Sequence, residues 1–175
     1  MPADPVVDAL NQQIAAELAA AHQYTAVAVY YDSASFPRLA RFFYDQAEEE
    51  HRHGLMMIRF LVDTGSNVRF DEIAAPQDEF ADHVAAIKLA VDQERSVTQR
   101  IAAIAATARE AGDYVSEQFI QWFLREQVEE EATMSELLDV AERVRQQPMA
   151  LEEYVAREHP GAAGGDASAP KAAGE

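Results

Sequence analysis

The sequence predicts an all-α protein: a four-helix bundle with a long crossover between its second and third helices and a short fifth helix. Three observations carry this. Of the 175 residues 49% are hydrophobic, rich in Ala, Leu and Val, with 7 Gly and with 7 Pro kept mostly to ends and joints. Four long segments repeat apolar side chains in steps alternating four and three, the signature of helices packed in a bundle. Between the second and third of these, residues 65–77 contain Gly, Ser, Asn and Pro and show no helical period.

The first helix should start near Pro5 and end near Asp32 and Ser33, with an inward face of Leu10, Ile14, Glu17, Ala21, Tyr24, Ala28 and Tyr31. Ser35 can cap the second helix, with Pro37 in its first turn, and Gly65 stops it after Thr64. Its inward face reads Leu39, Phe43, Gln46, Glu50, His53, Met57 and Phe60. An aperiodic stretch of about 13 residues is long for a turn between antiparallel neighbours. Extended, it reaches on the order of 43–47 Å, against roughly 43 Å for a helix of about 29 residues. It can therefore run the length of the bundle and leave the third helix parallel to the second.

The third helix is expected to be capped by Asp78 and to stop at Gly112. Phe80, Val84, Ile87, Val91, Glu94, Thr98, Ile101, Ala105 and Ala108 face inward. Asp113 can cap the fourth, which continues to about Arg145 with Ile120, Phe123, Gln127, Glu130, Met134, Leu137, Ala141 and Val144 inside. Pro148 opens the short fifth helix, ending near Arg157. Residues 1–158 thus form one domain, and the Gly/Ala/Pro-rich tail 159–175 is expected to be disordered.

Charge and composition exclude several functions. With 31 acids against 14 bases the net charge is −17, which argues against binding nucleic acid phosphates and either attracts cations or simply keeps the protein soluble. The absence of cysteine excludes disulfides, thiolate metal sites, iron–sulfur clusters and thiol catalysis. The N-terminal stretch has no signal-peptide pattern, and no uncharged apolar run is long enough to span a membrane. A cytoplasmic protein is expected.

Each of the four stripes is broken by an acid near the middle of its helix: Glu17, Glu50, Glu94 and Glu130. Each lies about 12 to 17 residues into its helix, so at ~1.5 Å per residue all four share nearly one height in the bundle. His53 and Gln127 add partners at a spacing of three to Glu50 and Glu130. One such Glu alone would be read as a solvated surface residue. Four in register on inward faces would repel one another and be forced to stay protonated. Two divalent cations cancel four carboxylates, with a neutral imidazole completing the set. Oxygen-rich donors with one nitrogen and no sulfur suit iron(II), manganese or zinc.

At this point the residues resemble a known family. Glu17, Glu50-x-x-His53, Glu94 and Gln127-x-x-Glu130 are similar to the ligand set of bacterial non-haem ferritins, ferritin-like di-iron proteins, over about residues 5–158. The resemblance implies one iron held by Glu17, Glu50 and His53 and a second by Glu50, Glu94 and Glu130, with Glu50 bridging and Gln127 beside the second. Tyr24 matches a family tyrosine next to the site and would serve equally as a core aromatic. The implied activity is that of a ferroxidase: dioxygen oxidises two Fe(II), and Fe(III) passes into a stored mineral. Glu49, Glu126 and Glu129, with Glu130, match a third iron site of prokaryotic ferritins, or form an acidic solvated face.

Bacterioferritins carry Glu-x-x-His on the fourth helix and a haem-ligating Met just after the bridging glutamate. Here Gln127-x-x-Glu130 and His51 stand in those places, so no haem is expected, although imidazole can itself ligate haem. A homo-oligomeric shell of about twenty-four subunits is implied. Glu117 matches a position lining its three-fold channel, or is a plain surface carboxylate. The alternatives are a haem-binding bacterioferritin, or a di-iron or di-manganese oxidase that uses the same site without storing mineral.

Overall fold

The computed structural model describes residues 1–161 and 168–174. Among these, all regular structure is helical: α1 Asp4–Ser33, α2 Pro37–Asp63, α3 His83–Glu110, α4 Tyr114–Arg143 and α5 Pro148–Glu158. α1 packs chiefly on α2 and α3 on α4, while α5 docks against one end of the bundle through Leu151 and Val155. This is the expected four-helix bundle with a short fifth helix.

Two helix starts differ from expectation. Ser35 does not cap α2; it sits at φ 63° in the turn after α1, where the Phe36 N–H reaches back to the Tyr31 carbonyl at 2.9 Å. A left-handed residue closes the α1 C-terminus, so Ser35 is used as a helix stop. The cap of α2 comes instead from α5. The buried Glu152 carboxylate accepts the Arg38 and Leu39 N–H groups at 2.9 and 2.8 Å, where a negative charge also meets the helix dipole.

Likewise α3 begins at His83, not after Asp78: Asp82 is the cap and accepts from Val84 and Ala85 at 3.0 and 2.8 Å. Phe80, expected on the inward stripe of α3, therefore lies in the connection, packed edge-on to Tyr30 at 5.0 Å. The crossover from Thr64 to Asp82 can span roughly 60 Å when extended, well beyond the ~40 Å length of α2, so it lies along the bundle with slack. Side chains of α1 pin it. Buried Asn11 donates to the Asn67 carbonyl at 3.0 Å and accepts the Arg69 N–H at 2.7 Å, and Gln23 exchanges two bonds with the Gln77 backbone at 2.7 and 2.9 Å. The stops at Gly65 (φ 69°) and Gly112 (φ 66°) and the Asp113 cap on Ser116 fall where expected.

The apolar core divides into two clusters. One gathers Tyr24, Tyr31, Leu39, Phe43, Ile87, Val91, Met134 and Leu137. The other gathers Leu10, Ile14, Met57, Leu61, Ile101, Ile120 and Phe123. Between them lies a layer of buried polar side chains. The described part of the tail, 168–174, lies on the second cluster: Ala172 is 3% exposed and the Ala173 N–H donates to the Leu55 carbonyl of α2 at 3.1 Å. Small apolar side chains let this segment seat on a helix. Residues 162–167 and 175 of the expected disordered tail lie outside the described residues.

Candidate metal centre

The polar layer is built by the mid-helix acids. Glu17, Glu50, Glu94 and Glu130 are 1%, 1%, 0% and 5% exposed, and His53 and Gln127 are buried with them. Their helical stripes dictate this, because each acid occupies the position an apolar residue would take on its own face. Glu17, Glu50 and His53 offer donor atoms that all lie within 4.8 Å of one another. His53 Nδ1 stands 3.6 Å from Glu50 Oε2.

Glu94 is held from two sides: the Tyr24 hydroxyl donates to one oxygen and Gln127 Nε2 to the other at 3.1 Å. Gln127 also reaches Thr98 Oγ1 at 3.3 Å. Tyr24 is thus both a core aromatic, 5.7 Å from Phe43, and a hydrogen-bond donor to the site. Glu130 lies in the field of Glu49, Glu50, Glu94 and Glu126.

Burial sets the protonation of this layer. It pushes the Glu50 carboxyl up to about 8, with Glu94 adding to the effect. Glu17 is raised well above the usual carboxyl range by burial and then by Glu50, and Glu130 by burial and then by Glu49. Glu94 is also raised by burial, against the pull of the Tyr24 and Gln127 hydrogen bonds. Glu17 and Glu50 are close enough to share a proton. As charged carboxylates neither can satisfy the other, and Glu17 Oε2 and Glu50 Oε2 are both buried with no hydrogen-bond partner. Buried, unpartnered and mutually repelling oxygens beside an imidazole are the donor set a hard or borderline cation satisfies.

A second group adjoins the first. Glu49, His53 and Glu126 offer donor atoms within 4.8 Å of one another, on the wall of a cleft of about 720 Å³ that Gln46, Arg52 and Trp122 also line. Gln46 Nε2 donates to Glu49 Oε2 at 2.9 Å. Glu129 is exposed and belongs to neither group.

The family described as "Ferritin-like domain" matches residues 7–144. The chain belongs to that family. It is 44% identical over 165 residues to the ferritin BfrB of Mycolicibacterium smegmatis, covering 94% of this chain and 91% of that one. It is 41% identical over 136 residues to the bacterial non-heme ferritin of Staphylococcus epidermidis, covering 78% and 82%. Among solved structures, the open-pore ferritin of Archaeoglobus fulgidus superposes with a TM-score of 0.85 at 28% identity, covering 90% of this chain and 98% of that one. Iron storage is accordingly the function class of this chain.

Within this ferritin fold, further residues touch the site that stripe reading alone did not single out. Gln13 is buried and its amide donates to Glu17 Oε1 at 2.9 Å; the signal was a second polar residue one turn before Glu17. Trp122, off the expected stripe, meets the His53 ring edge-on at 5.6 Å beside Phe123, which is on it, at 5.7 Å. His51 is exposed on α2. Glu117 accepts from Arg109 Nε at 2.8 Å, so its charge is paired within the chain. No helix among the described residues is long and apolar enough to cross a membrane.

Proposed function

We propose that this ferritin is a ferroxidase that oxidises Fe(II) with dioxygen within each subunit and stores Fe(III) as mineral inside a homo-oligomeric shell of about twenty-four copies. One observation carries the reading: four buried carboxyls and an imidazole meet in one layer, where no N–H or hydroxyl hydrogen-bonds to Glu17 Oε2 or Glu50 Oε2. Iron is substrate here. Glu17, Glu50 and His53 hold one Fe(II), Glu50, Glu94 and Glu130 the other, and Glu50 serves both. Two such ions in one pocket can each give dioxygen an electron.

The chain's own residues supply the rest. Tyr24 and Gln127 fix the Glu94 carboxylate before iron arrives, so little reorganisation is needed on binding. Protons held by the raised carboxyls are displaced as Fe(II) enters. Glu49 and Glu126, with Glu129 and Glu130, provide a third iron site beside the pair; the closeness of Glu49 and Glu126 to His53 supports it. Haem has no part in the reaction, and the family resemblance supports a cytoplasmic setting.

The test is aerobic addition of Fe(II) to purified protein, following ferric absorbance, particle size and iron per particle. Rapid oxidation with hundreds of irons retained per large particle is expected, slowed by at least 10-fold in Glu50→Ala and His53→Ala. Retention of only two irons by a small particle would remove storage from the proposal. Undiminished oxidation in both variants would remove the site.

A further inference from the structure

Glu17 differs from Glu94 in how it is held. Both oxygens of Glu94 receive a hydrogen bond, one from Tyr24 and one from Gln127. Glu17 receives an N–H only at Oε1, from Gln13 Nε2 at 2.9 Å, and no N–H or hydroxyl donor reaches its Oε2. Gln13 stands four residues before Glu17, so the two side chains lie one turn apart on the same face of α1. That face is otherwise apolar at this end of the bundle, through Val6, Leu10 and Ile14.

Gln13 is only 1% exposed. Polar pairs at this spacing are common on helix surfaces, where water competes for every donor and the geometry is loose. In a buried setting the amide cannot leave its acceptor without becoming an unsatisfied polar group. Turning the Glu17 carboxylate over would break this bond, so the two oxygens are no longer equivalent.

We propose that Gln13 is a positioning residue of the metal centre: its side-chain amide fixes Glu17 Oε1, so that Oε2 is the oxygen Glu17 presents to a bound divalent cation. The inference rests on the proposed role of Glu17 as a ligand. Gln13 touches no substrate and acts through Glu17 alone. With Oε1 turned toward the amide, Glu17 meets the ion chiefly through Oε2; without the amide, the carboxylate is free to turn and chelate the same ion through both oxygens. Outer partners of this kind fix the ligand's orientation and tune its affinity for the metal.

The experiment is an anaerobic Co(II) titration of the assembled protein after chelator treatment, read by visible absorbance and calorimetry. Wild type is compared with Gln13→Met, Gln13→Leu and Glu17→Gln. Methionine keeps the length and leucine the approximate bulk, and neither can donate, so either folded variant suffices. The proposal expects about 10–100-fold weaker binding of one Co(II) per chain in the Gln13 variants. It also expects a weaker visible band, since chelation by Glu17 raises the coordination number. Wild-type affinity and spectrum in a folded Gln13 variant would overturn it. So would a lowered Tm with an unchanged spectrum, which marks a purely structural role. Should wild type bind no Co(II), or Glu17→Gln bind it as wild type does, the underlying ligand assignment fails as well, and the two failures are told apart by that control.

Discussion

Raising the pH of the chelator-treated protein should weaken its fold, and divalent cations should abolish that dependence. Glu50 is held at about 8 against an ordinary 4.5, chiefly by burial and then by Glu94. An acid whose carboxyl is raised by folding stabilises the native state fully below the ordinary value and loses that contribution as pH rises through the raised one. The window therefore runs from about 4.5 to about 8 and above. At 1.36 kcal/mol per tenfold change in proton affinity, Glu50 alone contributes on the order of 5 kcal/mol across it. Glu17, Glu94 and Glu130 are raised too and act in the same direction. The assay is urea or thermal denaturation at pH 5 to 9, with and without excess Mn(II). Expected is a falling stability without the cation, a nearly flat one with it, and a shallower slope in Glu50→Gln. Stability that is flat or rises with pH in the chelated protein would refute the reasoning.

Other expectations follow from single contacts. Glu152→Ala removes the carboxylate that caps α2 and should lower stability by about 1–2 kcal/mol by denaturant titration, with Glu152→Gln recovering part of the loss. Asn11→Ala leaves the Arg69 N–H and the Asn67 carbonyl without their partner and should cost about 1–3 kcal/mol, with faster amide exchange confined to the crossover. The chain has one tryptophan, and its ring lies 5.6 Å from His53, so anaerobic Co(II) should quench Trp122 emission in wild type and much less in His53→Ala.

Most of the bundle was legible because periodicity and punctuation agree. The apolar steps along α1 to α4 fix which face is buried, and Gly65, Gly112 and Asp113 mark ends by local backbone chemistry alone. The registration of Glu17, Glu50, Glu94 and Glu130 was legible for the same reason: interior positions counted along helices of similar length fall at similar heights. What escaped was decided by tertiary contacts. Two aspartates, Asp78 and Asp82, could each cap α3, and only Asp82 takes the role, beside Arg145 of the α4–α5 connection. The cap of α2 lies more than a hundred residues away, in Glu152, and no local window contains it. Within the site, Gln13 was visible only as one more polar residue beside Glu17, because its purpose appears when both are seen to be buried. The pairing of Glu117 with Arg109 joins the ends of α3 and α4 across a turn, again beyond a single stripe.

On the proposed function, the mid-bundle carboxyl layer binds a pair of iron ions. Crystals of the assembled protein, soaked anaerobically in Fe(II) and measured at the iron absorption edge, test it directly. Two anomalous peaks are expected in each subunit, one beside Glu17, Glu50 and His53 and one beside Glu50, Glu94 and Glu130. Iron accumulating in the particle with no peak in that layer would contradict it.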